Sequence, residues 1–91
     1  MPRFNFEKDP DARLDYTFDW HEYLADGESI VDALVTPDTG LNVDSSDFGD
    51  TSVIAWISGG TPGNVYRVAC RITTSDTRTD ERSINVRVLE R

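Results

Sequence analysis

Apolar and polar positions alternate along most of this chain, and the period is two. Leu14, Tyr16, Phe18 and Trp20 are separated by Asp15, Thr17 and Asp19. Successive strand side chains point to opposite faces, so this segment is a strand with an aromatic inner face and a wet outer one. Residues 64–74 repeat the pattern. Tyr66, Val68, Cys70 and Ile72 face one way, and Val65, Arg67, Ala69 and Arg71 the other. Ile84, Val86 and Val88 alternate again within residues 83–89, after a polar loop at 75–81. These last two segments are predicted to pair as an antiparallel hairpin.

The intervening segments are less regular. Residues 21–24 predict a short helical turn, and residues 28–35 a strand with Ile30 and Leu34 directed inward. Proline and glycine in residues 36–40 mark a turn. Leu41-Asn42-Val43 opens a short strand, followed by a polar loop at 45–51 interrupted only by Phe48. Residues 52–58, SVIAWIS, are nearly all apolar. Either Val53, Ala55 and Ile57 or Ile54 and Trp56 face the core, and the other set requires cover from a neighbour. Residues 59–63, rich in glycine and proline, break regular structure before the tyrosine at position 66. That placement resembles the tyrosine corner of immunoglobulin-like domains.

Counted together, these segments predict an all-β fold: an immunoglobulin/fibronectin III-like antiparallel β-sandwich of six to seven strands. The seventh would be an edge strand marked by Phe4 and Phe6. The expected organisation is an extended N-terminal arm over residues 1–13 and a sandwich domain over residues 14–91. The expected core is Tyr16, Phe18, Trp20, Tyr66, Val68, Cys70, Ile72, Ile84, Val86 and Val88.

Composition narrows the functional classes. The chain has 91 residues, 37% of them hydrophobic, which suits one thin core and leaves little to enclose a substrate cavity. No apolar run approaches the roughly 20 residues of a membrane span, and the first residues lack the apolar stretch of a secretory signal, so synthesis in a cytoplasm is expected. Cys70 is the only cysteine, which leaves no internal disulfide and removes the usual zinc ligands. The net charge of −8 argues against a nucleic-acid partner. It is also uneven: three of the nine basic residues but thirteen of the seventeen acids lie in residues 1–50, whereas residues 51–91 carry six arginines.

Residues able to carry chemistry are few and scattered along the chain. His21 is the only histidine and has no nucleophile placed beside it by any motif. Cys70 is in phase with core positions and reads as a small buried hydrophobe. Asp44, Asp47 and Asp50 raise a calcium site, yet the spacing, central glycine and closing glutamate of an EF-hand loop are missing, and a solvated loop is the better reading. Gly59-Gly60 precedes a proline, not a helix that would receive a phosphate. No catalytic residue, metal or cofactor is expected. What remains are contact candidates: Phe4 and Phe6 in the arm, Trp56 on a strand needing cover, and Arg67, Arg71 and Arg87 as a face for an acidic partner.

A family resemblance sharpens this picture. It is carried by Lys8-Asp9-Pro10-Asp11-Ala12, Leu14-Asp15-Tyr16, Asp19-Trp20, Trp56-Ile57-Ser58-Gly59-Gly60-Thr61, Arg71-Ile72-Thr73-Thr74, Arg78-Thr79-Asp80 and Arg82-Ser83. Over residues 8–88 the chain resembles small phage and prophage proteins known as fibre–tail adaptors. It departs from their pattern at residues 23–26, where a second tryptophan often stands near the position of Tyr23. The resemblance implies a non-enzymatic virion protein with an immunoglobulin-like fold, made in the bacterial host cytoplasm. Its implied partners are tail, fibre, portal or neck, or capsid subunits, or further copies of the chain. The alternatives are a capsid decoration or cement protein and a carbohydrate- or cell-surface-binding module that uses Trp56 and Tyr23 as a platform.

Overall fold

In a computed structural model, the backbone of residues 4–90 and the side chains of residues 6–90 are described. Seven strands follow one another: β1 (Phe4–Lys8), β2 (Leu14–Asp19), β3 (Ile30–Pro37), β4 (Leu41–Phe48), β5 (Ser52–Gly59), β6 (Val65–Thr74) and β7 (Thr79–Val88). They form a four-stranded sheet, β1-β7-β6-β3, and a three-stranded sheet, β2-β5-β4. The inner faces of both sheets supply one core. The neighbours β2-β5-β4 and β3-β6-β7 are consistent with an immunoglobulin-like sandwich, with β1 added at the β7 edge. The sandwich is not wholly antiparallel: β1 runs parallel to β7, pairing Phe4 with Ile84 and Lys8 with Val88.

Alternation sets the phase of the long strands. All ten residues expected in the core are buried, joined by Ile30, Val35, Leu41, Val53, Ala55 and Ile57. In β5 the inward set is therefore Val53, Ala55 and Ile57, and Ile54 and Trp56 point outward. Residues 4–8 of the N-terminal segment lie in the four-stranded sheet as β1, where the Phe6 ring meets Tyr16 edge-on at 4.8 Å. Residues 1–3, the Phe4 side chain and Arg91 lie outside the described residues.

Three local readings need correction, and two have the same cause. In β3 a register shift between Ile30 and Asp32 reverses the phase, so Ala33 and Val35 turn inward and Leu34 is left 62% exposed. β4 does not end at Val43. A second irregularity, between Val43 and Ser45, lets the polar stretch through Phe48 continue pairing with β5. A bulge adds a residue to one strand and flips the faces beyond it, which simple alternation cannot anticipate. Residues 21–24 form the single turn expected of them, closed by bonds from the Tyr23 and Leu24 N–H groups to the Trp20 carbonyl. The β6–β7 hairpin is also tighter than expected, since β7 already begins at Thr79.

Candidate interaction surfaces

The outer face of the three-stranded sheet is centred on Ile54 and Trp56, which are 39% and 36% exposed. On the β2 side, Thr17 stands opposite Ile54 and Asp15 opposite Trp56. On the β4 side, Asp47 stands opposite Ile54 and Ser45 opposite Trp56. Arg13, just before β2, lays its guanidinium 4.6 Å from the centre of the Trp56 ring. Its Nε donates to Asp44 at 2.9 Å, and the other Asp44 oxygen accepts from the Ser58 hydroxyl at 2.8 Å. The Ser58 bond and then Arg13 hold the Asp44 carboxyl below its usual range. Asp44 sits at the β4 irregularity, so that bulge aims its carboxylate at Arg13.

The outer face of the four-stranded sheet carries Arg67, Arg71 and Arg87, all exposed. The register intersperses them with acids: Glu81 opposite Arg71 on β7, Glu7 opposite Arg87 on β1, and Asp32 opposite Thr73 on β3. Arg67 also lies 3.7 Å from Glu81. The excess of arginine in the second half of the sequence thus does not become a purely basic face. A shallow depression beside Leu34 and Arg71 is lined by Asp32, Ala33, Thr73 and Thr79.

At one end of the sandwich, the residues of two resemblance motifs meet. Lys8 is buried, and its ammonium donates to the carbonyls of Asp9 at 2.7 Å, Gly59 at 2.8 Å and Pro10 at 3.4 Å. Burial lowers the Lys8 pKa, while Asp9 and Asp11 oppose that shift. Three carbonyls match the three donors of an ammonium, which is how a buried lysine without an ion-pair partner is satisfied. Beside it, the Tyr66 hydroxyl accepts from the Thr61 N–H at 2.8 Å, closing the corner over Gly60. Gly60 has a φ of 96°, and a Cβ there would stand 2.6 Å from a Val88 methyl, so a side chain is excluded twice over.

The other end joins further motif residues. Glu28 is buried and forms an ion pair with Arg78, through Arg78 Nη2 to Oε1 and Nε to Oε2, the latter at 2.9 Å. The Ala25 N–H and the Thr74 hydroxyl donate to the same carboxylate. Arg78 lies over Tyr23 at 4.4 Å, and Arg82 lies over Trp20 at 4.3 Å while donating to the Asp19 carbonyl at 3.0 Å. These contacts bind the loop after β2 to the β6–β7 hairpin.

None of the polar residues weighed for catalysis or metal binding converges on a common point. His21 is exposed, and its backbone N–H is capped by Asp19. Cys70 is buried, and burial pushes its thiol up to about 11. Asp44 is engaged by Arg13 and Ser58, Asp47 caps the Phe48 N–H, and no cluster of three metal-capable side chains forms among the described residues. Tyr23 and Trp56 stand in separate clusters, capped by different arginines, and do not make one platform. Ile54 was weighed in the sequence only as a companion of Trp56 in one of two alternative faces of β5, and Arg13 escaped it, having no local signal.

The molecule is thus a clasped sandwich with two broad exposed sheet faces and no assembled catalytic group among the described residues. A family model described as podophage GP4 fiber-tail adaptor protein gp77 matches residues 8–87, and the chain belongs to that family. It is accordingly a structural adaptor of a phage particle, associated with other virion proteins. A comparison with curated proteins finds no match.

Proposed function

We propose that this protein joins a phage tail to its fibres as a rigid, non-enzymatic connector in the virion, binding one partner on each side of the sandwich. The observation that carries this reading is the pair of opposed outer faces: Ile54 and Trp56 on one side, and Arg67, Arg71 and Arg87 on the other. Family membership supplies the partners, tail and fibre. The clasps at both ends support rigidity, because Lys8 and the Glu28–Arg78 pair each tie distant segments together. Residues 1–13 provide a third contact in this reading: β1 lies at a sheet edge, and residues 1–3 precede it.

Particles assembled without this protein test the proposal. They should carry tails without fibres, and adding the purified protein and then fibres should restore attachment. Fibres that attach equally well without it would refute the connector role. Removing residues 1–3, which leaves Lys8 and β1 in place, tests the third contact; unchanged assembly would reject it.

A further inference from the structure

Resting on the connector reading, we infer that the outer face of the β2-β5-β4 sheet docks a cationic protein surface of the virion, one in which an exposed aliphatic or aromatic side chain is flanked by arginine or lysine. The apolar centre of the site is Ile54 and Trp56, adjacent outward residues of the central strand. Neighbouring strands lie about 4.8 Å apart, so the side chains in register with these two form their immediate rim.

The rim decides the chemistry of the occupant. Among the described residues, Asp15, Asp19, Asp44 and Asp47 face outward around the apolar pair, against the guanidinium of Arg13. Asp44 is already neutralised by Arg13. The side chain of Asp15, directly across from Trp56, has neither a hydrogen bond nor an ion pair among the described residues. The carboxylates of Asp19 and Asp47 accept only backbone N–H groups, from His21 and Phe48, while Arg82 donates to the Asp19 main-chain carbonyl. An acidic or neutral partner would leave these carboxylates desolvated and unpaired, whereas a cationic one pairs them.

The molecule contains an internal example of the interaction. Arg13 rests on the Trp56 ring and bonds Asp44 in the same pose, a guanidinium held by an aromatic face and a carboxylate together. A partner's arginine or lysine beside Asp15 would repeat that arrangement on the other flank of the same ring. A second copy is a poorer occupant, since its opposite face balances Arg67, Arg71 and Arg87 against Glu7, Asp32 and Glu81.

The test follows the two steps of reconstitution separately, with the full chain. Step one is binding to isolated particles that lack the protein, and step two is capture of purified fibres by the resulting particles. The double variant Asp15→Lys/Asp47→Lys and the single variant Trp56→Ala should each weaken one step by roughly tenfold or more, and that step should weaken with added salt for the wild type. All three positions are exposed, and matching thermal melts would exclude a folding defect. Wild-type strength in both steps for both variants would overturn the inference while leaving the connector reading intact. Failure of the wild type in both steps would sink both. Concentration-dependent dimerisation of the wild type, lost in these variants while both steps persist, would replace the cationic partner with a second copy.

Discussion

The Lys8 ammonium donates to the carbonyl of Gly59, 2.8 Å away, and so ties the end of β1 in one sheet to the end of β5 in the other. The two residues are 51 positions apart. The bond does at this end what the Glu28–Arg78 pair does at the other: it locks a terminal segment onto the sandwich. A connector under load benefits from such locks, since edge strands and loops are where a sandwich opens first.

Replacing Lys8 tests the first lock. Lys8→Ala removes a buried side chain and strands the Gly59 and Asp9 carbonyls, and should destabilise by about 1–3 kcal/mol. Lys8→Met keeps the apolar stem and should lose less. Chemical denaturation of both variants checks the order; equal stability of all three proteins would refute the lock.

The second lock has a pH signature. The Arg78 hydrogen bond, aided by the Ala25 N–H and the Thr74 hydroxyl, lowers the Glu28 pKa from 4.5 to about 2. A carboxyl depressed in the folded state contributes stability that is fully present above its unfolded value and lost as pH falls through the folded one. Wild-type stability should therefore decline between pH 4.5 and about 2. In Glu28→Gln the decline should be shallower and the melting temperature at neutral pH lower. Thermal melts across pH read both effects, with Asp44 contributing a residual slope of the same sign.

Two tyrosines of the core should respond oppositely to loss of the hydroxyl. The Tyr66 oxygen accepts the Thr61 N–H, so Tyr66→Phe leaves a donor at the corner unpaired and should lower the melting temperature. The Tyr16 oxygen is buried without a hydrogen-bond partner among the described residues, and burial raises its pKa. Tyr16→Phe should be neutral or stabilising by up to about 1 kcal/mol. A drop in stability for Tyr16→Phe comparable to that for Tyr66→Phe would contradict this assignment.

Cys70 should be unreactive in the native protein. Its side chain is buried, and its thiol is held at about 11, so almost no thiolate is present at neutral pH. Alkylation should proceed only as the protein unfolds, at a rate that tracks denaturant. Rapid modification of native protein would show that the β6 face opens.

How much of this was legible in the sequence depended on locality. The phases of β2, β6 and β7 followed from alternation alone, because no bulge interrupts those strands and aromatic or β-branched residues mark their inner faces. Leu34 was misplaced because the irregularity before Asp32 shifts the phase by one residue. The second half of β4 was missed because Ser45, Ser46 and Asp47 resemble a loop, and their strand state comes from pairing with β5. Lys8 was within reach, since it is in phase with Phe6, but a lysine on an inward face normally argues against burial. Glu28 and Arg78 are 50 residues apart, and nothing local links them. The docking face was half visible, in the alternatives for residues 52–58, and its acidic rim appeared only when β2 and β4 were placed on either side of β5.

A reconstruction of the intact phage particle tests the connector most directly. The account predicts density for the sandwich between tail and fibre, with the Ile54–Trp56 face covered by a neighbouring protein. Density repeated across the capsid lattice, or no density for this chain anywhere in the particle, would contradict it.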